Sequence, residues 1–285
     1  MAVVAALGAA LAYACAMVLQ HRGARQAPPE SSLRPGLLLD LAQRRAWIIG
    51  IGVNVVAFGL RAIALGRGSL VLVQPLVLSG LVVALVIETR LSGRRFSSRD
   101  ILASAAVIGG VSLFLVAASP TRGRTVAPGS SWLVLAASVS PVVVVALVTG
   151  GRAIAEHRAA RLAVAGGVLL AATAALTKQV AAGFSHDRLG VLGTWSPYAL
   201  VVVGLVGTVV TQSAFQAASL RASLPVLNVV EPVASILIGV LVFRERLTSS
   251  TAGRVAAVAG LAALVSGVVS LSRTMGDRGD PPPPR

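Results

Sequence analysis

The sequence predicts an all-α, polytopic membrane protein: about nine transmembrane helices, arranged as an inverted repeat of four plus four helices joined by a linker helix. Three observations carry that expectation. The 285-residue chain is 55% hydrophobic and 12% charged, with a mean hydropathy of +0.84; a soluble domain carries about 25% charged residues and could not hide this much apolar surface from water. Nine apolar segments approach the roughly 20 residues that cross a bilayer. The chain also matches itself at an offset of 157 residues.

The segments, in order, are Ala2–Leu19, Ala46–Leu65, Ser69–Ile87, Ile101–Ala118, Trp132–Val148, Leu162–Val180, Tyr198–Leu220, Ser223–Phe243 and Thr251–Leu271. The first begins directly on its apolar run with no basic stretch before it, so it reads as a retained span rather than a signal peptide. Cys15 is the single cysteine, which excludes an intramolecular disulfide. A polar loop separates the first two spans, and its "PGLLLDLA" is too short to cross. The chain divides into a first four-helix repeat (1–120), a linker helix and loop (121–157), a second repeat (158–273) and a polar, disordered tail (274–285).

The formal net charge is +15. The basic residues lie between the apolar runs, the distribution of membrane loops, so nucleic acid is excluded as a partner. Lys178 is the only lysine. Arginines on one side of the membrane (Arg22, Arg25, Arg44, Arg45, Arg90, Arg94, Arg95, Arg99 and others) outnumber two to one those on the other, among them Arg61, Arg67, Arg124, Arg244 and Arg246. The arginine-rich side is expected in the cytoplasm, with the N-terminus outside and the C-terminus inside. An Arg-rich, Lys-poor composition indicates a GC-rich bacterial genome, hence a bacterial plasma (inner) membrane.

In the repeat, "AAVIGGV" (Ala105–Val111) falls on "AALVSGV" (Ala262–Val268), and "LVLVQPL" (Leu70–Leu76) on "LNVVEPV" (Leu227–Val233). Phe58 falls on Phe215, and Glu88 on Glu245. With "AMVLQH" (Ala16–His21) falling more weakly on "TAALTK" (Thr173–Lys178), one gapless offset links spans one to four with spans six to nine. A displacement of five spans, an odd number, puts the second half into the membrane upside down, an arrangement used by secondary transporters. Such halves exchange conformations and open a midplane site alternately to each face.

Pro75 and Pro232 hold matching positions in the third and eighth spans. Proline removes an N–H and frees a carbonyl one turn earlier, which in lipid must meet protein, water or ligand. Paired interrupted helices point to a binding site. Beside these breaks lie Gln74 and Glu231. An ionised carboxylate deep in lipid costs roughly 3 kcal/mol unless protonated or paired, so Glu231 reads as a protonation switch or cation ligand, or as half of a structural pair. The other substrate-binding or coupling candidates are Asn54, Thr211, Gln212, Gln216, Asn228 and Lys178. Each could equally be helix-joining polar glue or, for Lys178 near a span end, a snorkelling anchor. Arg61 could reach Glu231 but is expected at the interface.

The stretch from Ala217 to Leu271 resembles the end of an EamA-type domain of the drug/metabolite transporter superfamily. The likeness rests on a helix with a central proline, the closing Glu245-Arg246-Leu247-Thr248 and a glycine-bearing helix; "ETRLS" (Glu88–Ser92) is a looser copy. Nine spans, "LQHRG" and "LVLVQPL" are similar to the nine-helix branch named for the NIPA-like magnesium transporters. The resemblance implies a transporter of a small metabolite or drug-like solute working by alternating access, with a proton or cation as a possible co-partner and a homodimer as a possible assembly. It departs from the small multidrug-resistance relatives, which use a carboxylate in the first span; none is present here. Magnesium needs oxygen ligands, often one or two carboxylates, and only Glu231 lies deep. A magnesium carrier is the alternative transporter reading, and a non-transporting membrane scaffold or lipid-binding protein the alternative of another class. No catalytic constellation, metal-ligand cluster or cofactor motif is expected.

Overall fold

The computed structural model describes residues 1–25, 45–91, 97–121, 123–150, 153–187, 189–217, 220–247 and 250–279. Among these residues the chain is helical: α1 (Ala2–Arg25), α2 (Arg45–Arg67), α3 (Leu70–Leu78), α4 (Gly80–Leu91), α5 (Ser98–Ala118), α6 (Gly129–Gly150), α7 (Ala155–His186), α8 (Ser196–Ala217), α9 (Leu220–Leu241) and α10 (Thr251–Gly279). With α3 and α4 counted as one span, nine helices among the described residues are long and apolar enough to cross a membrane. Their ends run beyond the apolar stretches: α7 continues to His186. Backbone hydrogen bonding favours continuing a helix until a cap or turn takes over its last carbonyls. Of the tail, residues 280–285 lie outside the described residues; α10 runs to Gly279, so 274–279, expected in a disordered tail, are helical.

The packing has a membrane logic. Buried positions are rich in small residues, among them Ala6, Ala9, Ala57, Ala64 and Ala171, while Val116, Leu133, Val255 and Val258 are exposed. Lipid is as apolar as leucine, so association relies on close backbone approach rather than on hiding apolar area. α1 packs along α2, α7 along α8, and α5 along α10; α9 packs on α7 and α10 and touches α3. α6 packs on α7 and buries only Ala146 and Gly150, so it lies at the edge.

The α5–α10 contact shows how tight this is. A Cβ at Gly110 would fall 2.4 Å from the Leu264 amide nitrogen, and one at Gly260 would fall 2.5 Å from that of Phe114. These are backbone atoms and cannot turn aside. Gly110→Val is therefore expected to destabilise by about 2 kcal/mol or more. Gly109 has nothing within 4 Å of its would-be Cβ, so Gly109→Val should melt like wild type in detergent; equal melting of both variants would refute the tight crossing.

Candidate functional site

The third span is broken, and its first piece is capped by groups far away in sequence. Ser69 opens α3 in an extended conformation; its hydroxyl accepts from the Leu72 N–H at 3.1 Å. The carboxylate of Glu245 accepts from the Leu70 N–H at 2.8 Å and from the Val71 N–H at 3.0 Å. Three first-turn donors are thus satisfied, and a negative charge sits at the positive end of the helix dipole. Pro75 lies inside α3, which ends three residues later at Leu78, with Ser79 as its cap. There the Ser79 N–H reaches both Pro75 and Leu76 carbonyls at 3.2 Å before α4 begins. Pro232, expected to break its helix as well, lies inside α9, which runs on through it. A single missing N–H does not end a helix that is packed on both sides of it.

One turn beyond the cap, three spans converge. The Arg61 guanidinium of α2 donates from Nη2 to Gln74 Oε1 of α3 at 2.8 Å and to Glu231 Oε1 of α9 at 2.7 Å. Arg61 therefore turns into the bundle rather than to the interface, because a carboxylate in the apolar interior gains more from a paired guanidinium than a surface contact offers. The group lines a cavity of about 190 Å³ with Tyr13, Asn228 and Pro232. Among the described residues buried Arg61 Nε and Gln74 Nε2 have no hydrogen-bond partner, so this seam retains donor capacity. Asn228 donates to Ser272 Oγ of α10 at 3.0 Å.

A second charged pair lies at the start of α3. Lys178 of α7 donates from Nζ to Glu245 at 2.5 Å, with side-chain exposures of 4% and 0%. The lysine lies 4.4 Å from the centre of the Phe243 ring, a cation–π geometry. Phe243 also meets Trp132, and Trp132 meets Trp195, edge to face. The chain leaves α9 and turns back through Arg244, whose φ is +54°. The Glu245 N–H then donates to the Gly239 carbonyl at 3.0 Å. That turn delivers the carboxylate to α3.

The structure thus gathers Glu231, Gln74 and Asn228, with Pro232, around one cavity. Lys178, a candidate for snorkelling, is buried in the neighbouring cluster. Asn54 is half-buried and Thr211 buried against Gly166 of α7; neither lines that cavity among its described residues. Gln212 is exposed, so its i,i+4 relation to Gln216 does not build this wall; the side chain of Gln216 lies outside the described residues. Glu245, Arg61 and Tyr13 were missed as site residues. Glu245 had a legible signal, an acid just past one span and a serine just before another, but nothing in the sequence marks Tyr13. Among the described residues no three His, Cys, Asp or Glu side chains group as a metal site would require.

Nine apolar helices and two buried or half-buried ion pairs among the described residues define the class: a helical, multi-pass membrane protein. No family model matches the sequence, and no solved structure matches it. An uncharacterized protein of Corynebacterium glutamicum is 30% identical over 282 residues, covering 96% of this chain and 95% of that protein. The chain belongs to the same family as that Corynebacterium protein.

Proposed function

We propose that the protein is a secondary-type transporter of the drug/metabolite kind, moving a small solute by alternating access between two inverted four-helix halves, with α6 as the linker. The observation that carries this reading is the Arg61–Gln74–Glu231 group. It bridges the second and third spans of one half and the eighth span of the other across a cavity. An ion pair between halves can exchange its partner for a solute, and that exchange offers a way to couple binding to rearrangement. The like pairing of α1 with α2 and of α7 with α8, and the peripheral α6, support two equivalent halves and a linker. The arginine bias supports an outside N-terminus and a cytoplasmic C-terminus in a bacterial inner membrane.

The cavity's one carboxylate already faces a guanidinium, which favours an anionic or zwitterionic metabolite over a divalent cation. Glu231 changes its partner or its protonation during the cycle. The test screens amino acids, organic acids and phosphate esters by thermal stabilisation of the purified protein, then follows uptake of any stabilising solute into proteoliposomes. Glu231→Gln is expected to lower uptake at least tenfold. Undiminished, still pH-dependent uptake would remove Glu231 from the mechanism, and stabilisation by Mg²⁺ that vanishes in Glu231→Gln would favour the magnesium carrier. Stabilisation by no solute would favour a scaffold.

A further inference from the structure

A separate polar pocket is built where residues 119–121 and 123–128 meet residues 242–247 at one end of the bundle. Hydrogen bonds tie them. The Thr121 N–H donates to the Arg246 carbonyl at 3.0 Å, the Arg124 N–H to the Phe243 carbonyl at 2.6 Å, and the Arg246 N–H to Thr121 Oγ1 at 3.1 Å. Gly123 takes φ +58°, and a Cβ there would stand 2.4 Å from the Phe243 carbonyl oxygen. The resulting hollow, about 520 Å³, is lined by Gly123, Arg124, Val240, Arg244, Glu245 and Arg246.

Its charges do not cancel. The Glu245 carboxylate is committed to Lys178 and the α3 amides. Arg124, Arg244 and Arg246 make no ion pair and no side-chain hydrogen bond among the described residues, and all three are exposed. Arg244 adds an independent signal. It holds a left-handed backbone, φ +54°, which glycine adopts without the Cβ penalty. The turn itself is explained by the need to return Glu245 to α3. An arginine side chain at that strained position is not, and strain kept in place points to use.

We propose that this pocket is an anion site that takes a phosphate group, carried by a small solute or by a lipid headgroup. Three guanidinium forks suit a group with three or more acceptor oxygens and a charge approaching two better than a monocarboxylate. The site stands whether or not the protein transports.

The test uses the full chain in an uncharged detergent at fixed ionic strength, with inorganic phosphate titrated by calorimetry. A second arm uses nanodiscs of phosphatidylcholine with or without phosphatidic acid, whose phosphomonoester headgroup carries three terminal oxygens, and measures lipid retention by native mass spectrometry. Saturable binding of phosphate identifies a solute site; retention of phosphatidic acid alone identifies a headgroup site. In either case R124Q/R244Q/R246Q should weaken binding tenfold or more, whereas Arg99→Gln, exposed at the opposite end, should bind like wild type. Arg244→Gly separates binding from folding: binding should weaken several-fold while the melting temperature holds or rises. Absence of saturable binding of both probes, or binding unchanged in the triple variant, overturns the proposal. If the triple variant does not fold, unchanged binding by Arg244→Gly overturns it.

Discussion

Glu245→Ala should destabilise the protein by about 3–5 kcal/mol, the loss seen when one partner of a buried ion pair is removed. Its carboxylate is fully enclosed and serves Lys178 and the Leu70 and Val71 amides together. Removing it takes the carboxylate from a buried ammonium and leaves two helix-initial N–H groups without that acceptor. These two costs can be separated. Adding Lys178→Met to Glu245→Ala removes the buried cation and should recover part of the loss, leaving the uncapped helix start. Unfolding in detergent–lipid micelles measures both variants. A cost below about 1 kcal/mol, the size of an exposed pair, would show that the carboxylate is not holding α3.

The second large effect is expected at Arg61. Arg61→Gln leaves Glu231 facing apolar helices with only its partial access to the cavity, and removes the donor that holds Gln74. The Glu231 side chain is 22% accessible, so solvent offsets part of the cost. We expect about 2–3 kcal/mol, at or below the low end for a fully buried pair. Glu231→Gln should be milder in stability, since the arginine keeps amide acceptors from Gln74 and from the new glutamine. The double variant Arg61→Met, Glu231→Gln should melt near wild type yet stay defective in solute uptake. Recovery of uptake in that double variant would mean that the pair only supports the fold.

The number of apolar spans and three residues of the cavity wall, Glu231, Gln74 and Asn228, are legible in the sequence alone. Apolar runs report themselves because lipid imposes one length on every crossing segment. Glu231 stood out because a carboxylate in such a run is costly. Gln74 was found through its place opposite Glu231 in the repeat, and Asn228 through its helical spacing from the glutamate. Asn54, Thr211 and Gln212 passed the same polarity filter without joining the cavity, since polarity alone does not say which way a helix face is turned. Pro232 looked like a break, but α9 absorbs it; the break in the third span sits at Ser79, four residues past Pro75.

Composition and spacing thus suffice to mark nine helices apolar enough to cross a membrane and a carboxylate beside a proline in one of them, because the bilayer tests each residue one at a time. Only the packed chain could assign partners. Arg61 chooses Glu231, and Glu245 crosses 175 positions to cap Leu70, because an ion pair or a helix cap depends on where two distant backbones come to lie. No local pattern encodes that distance.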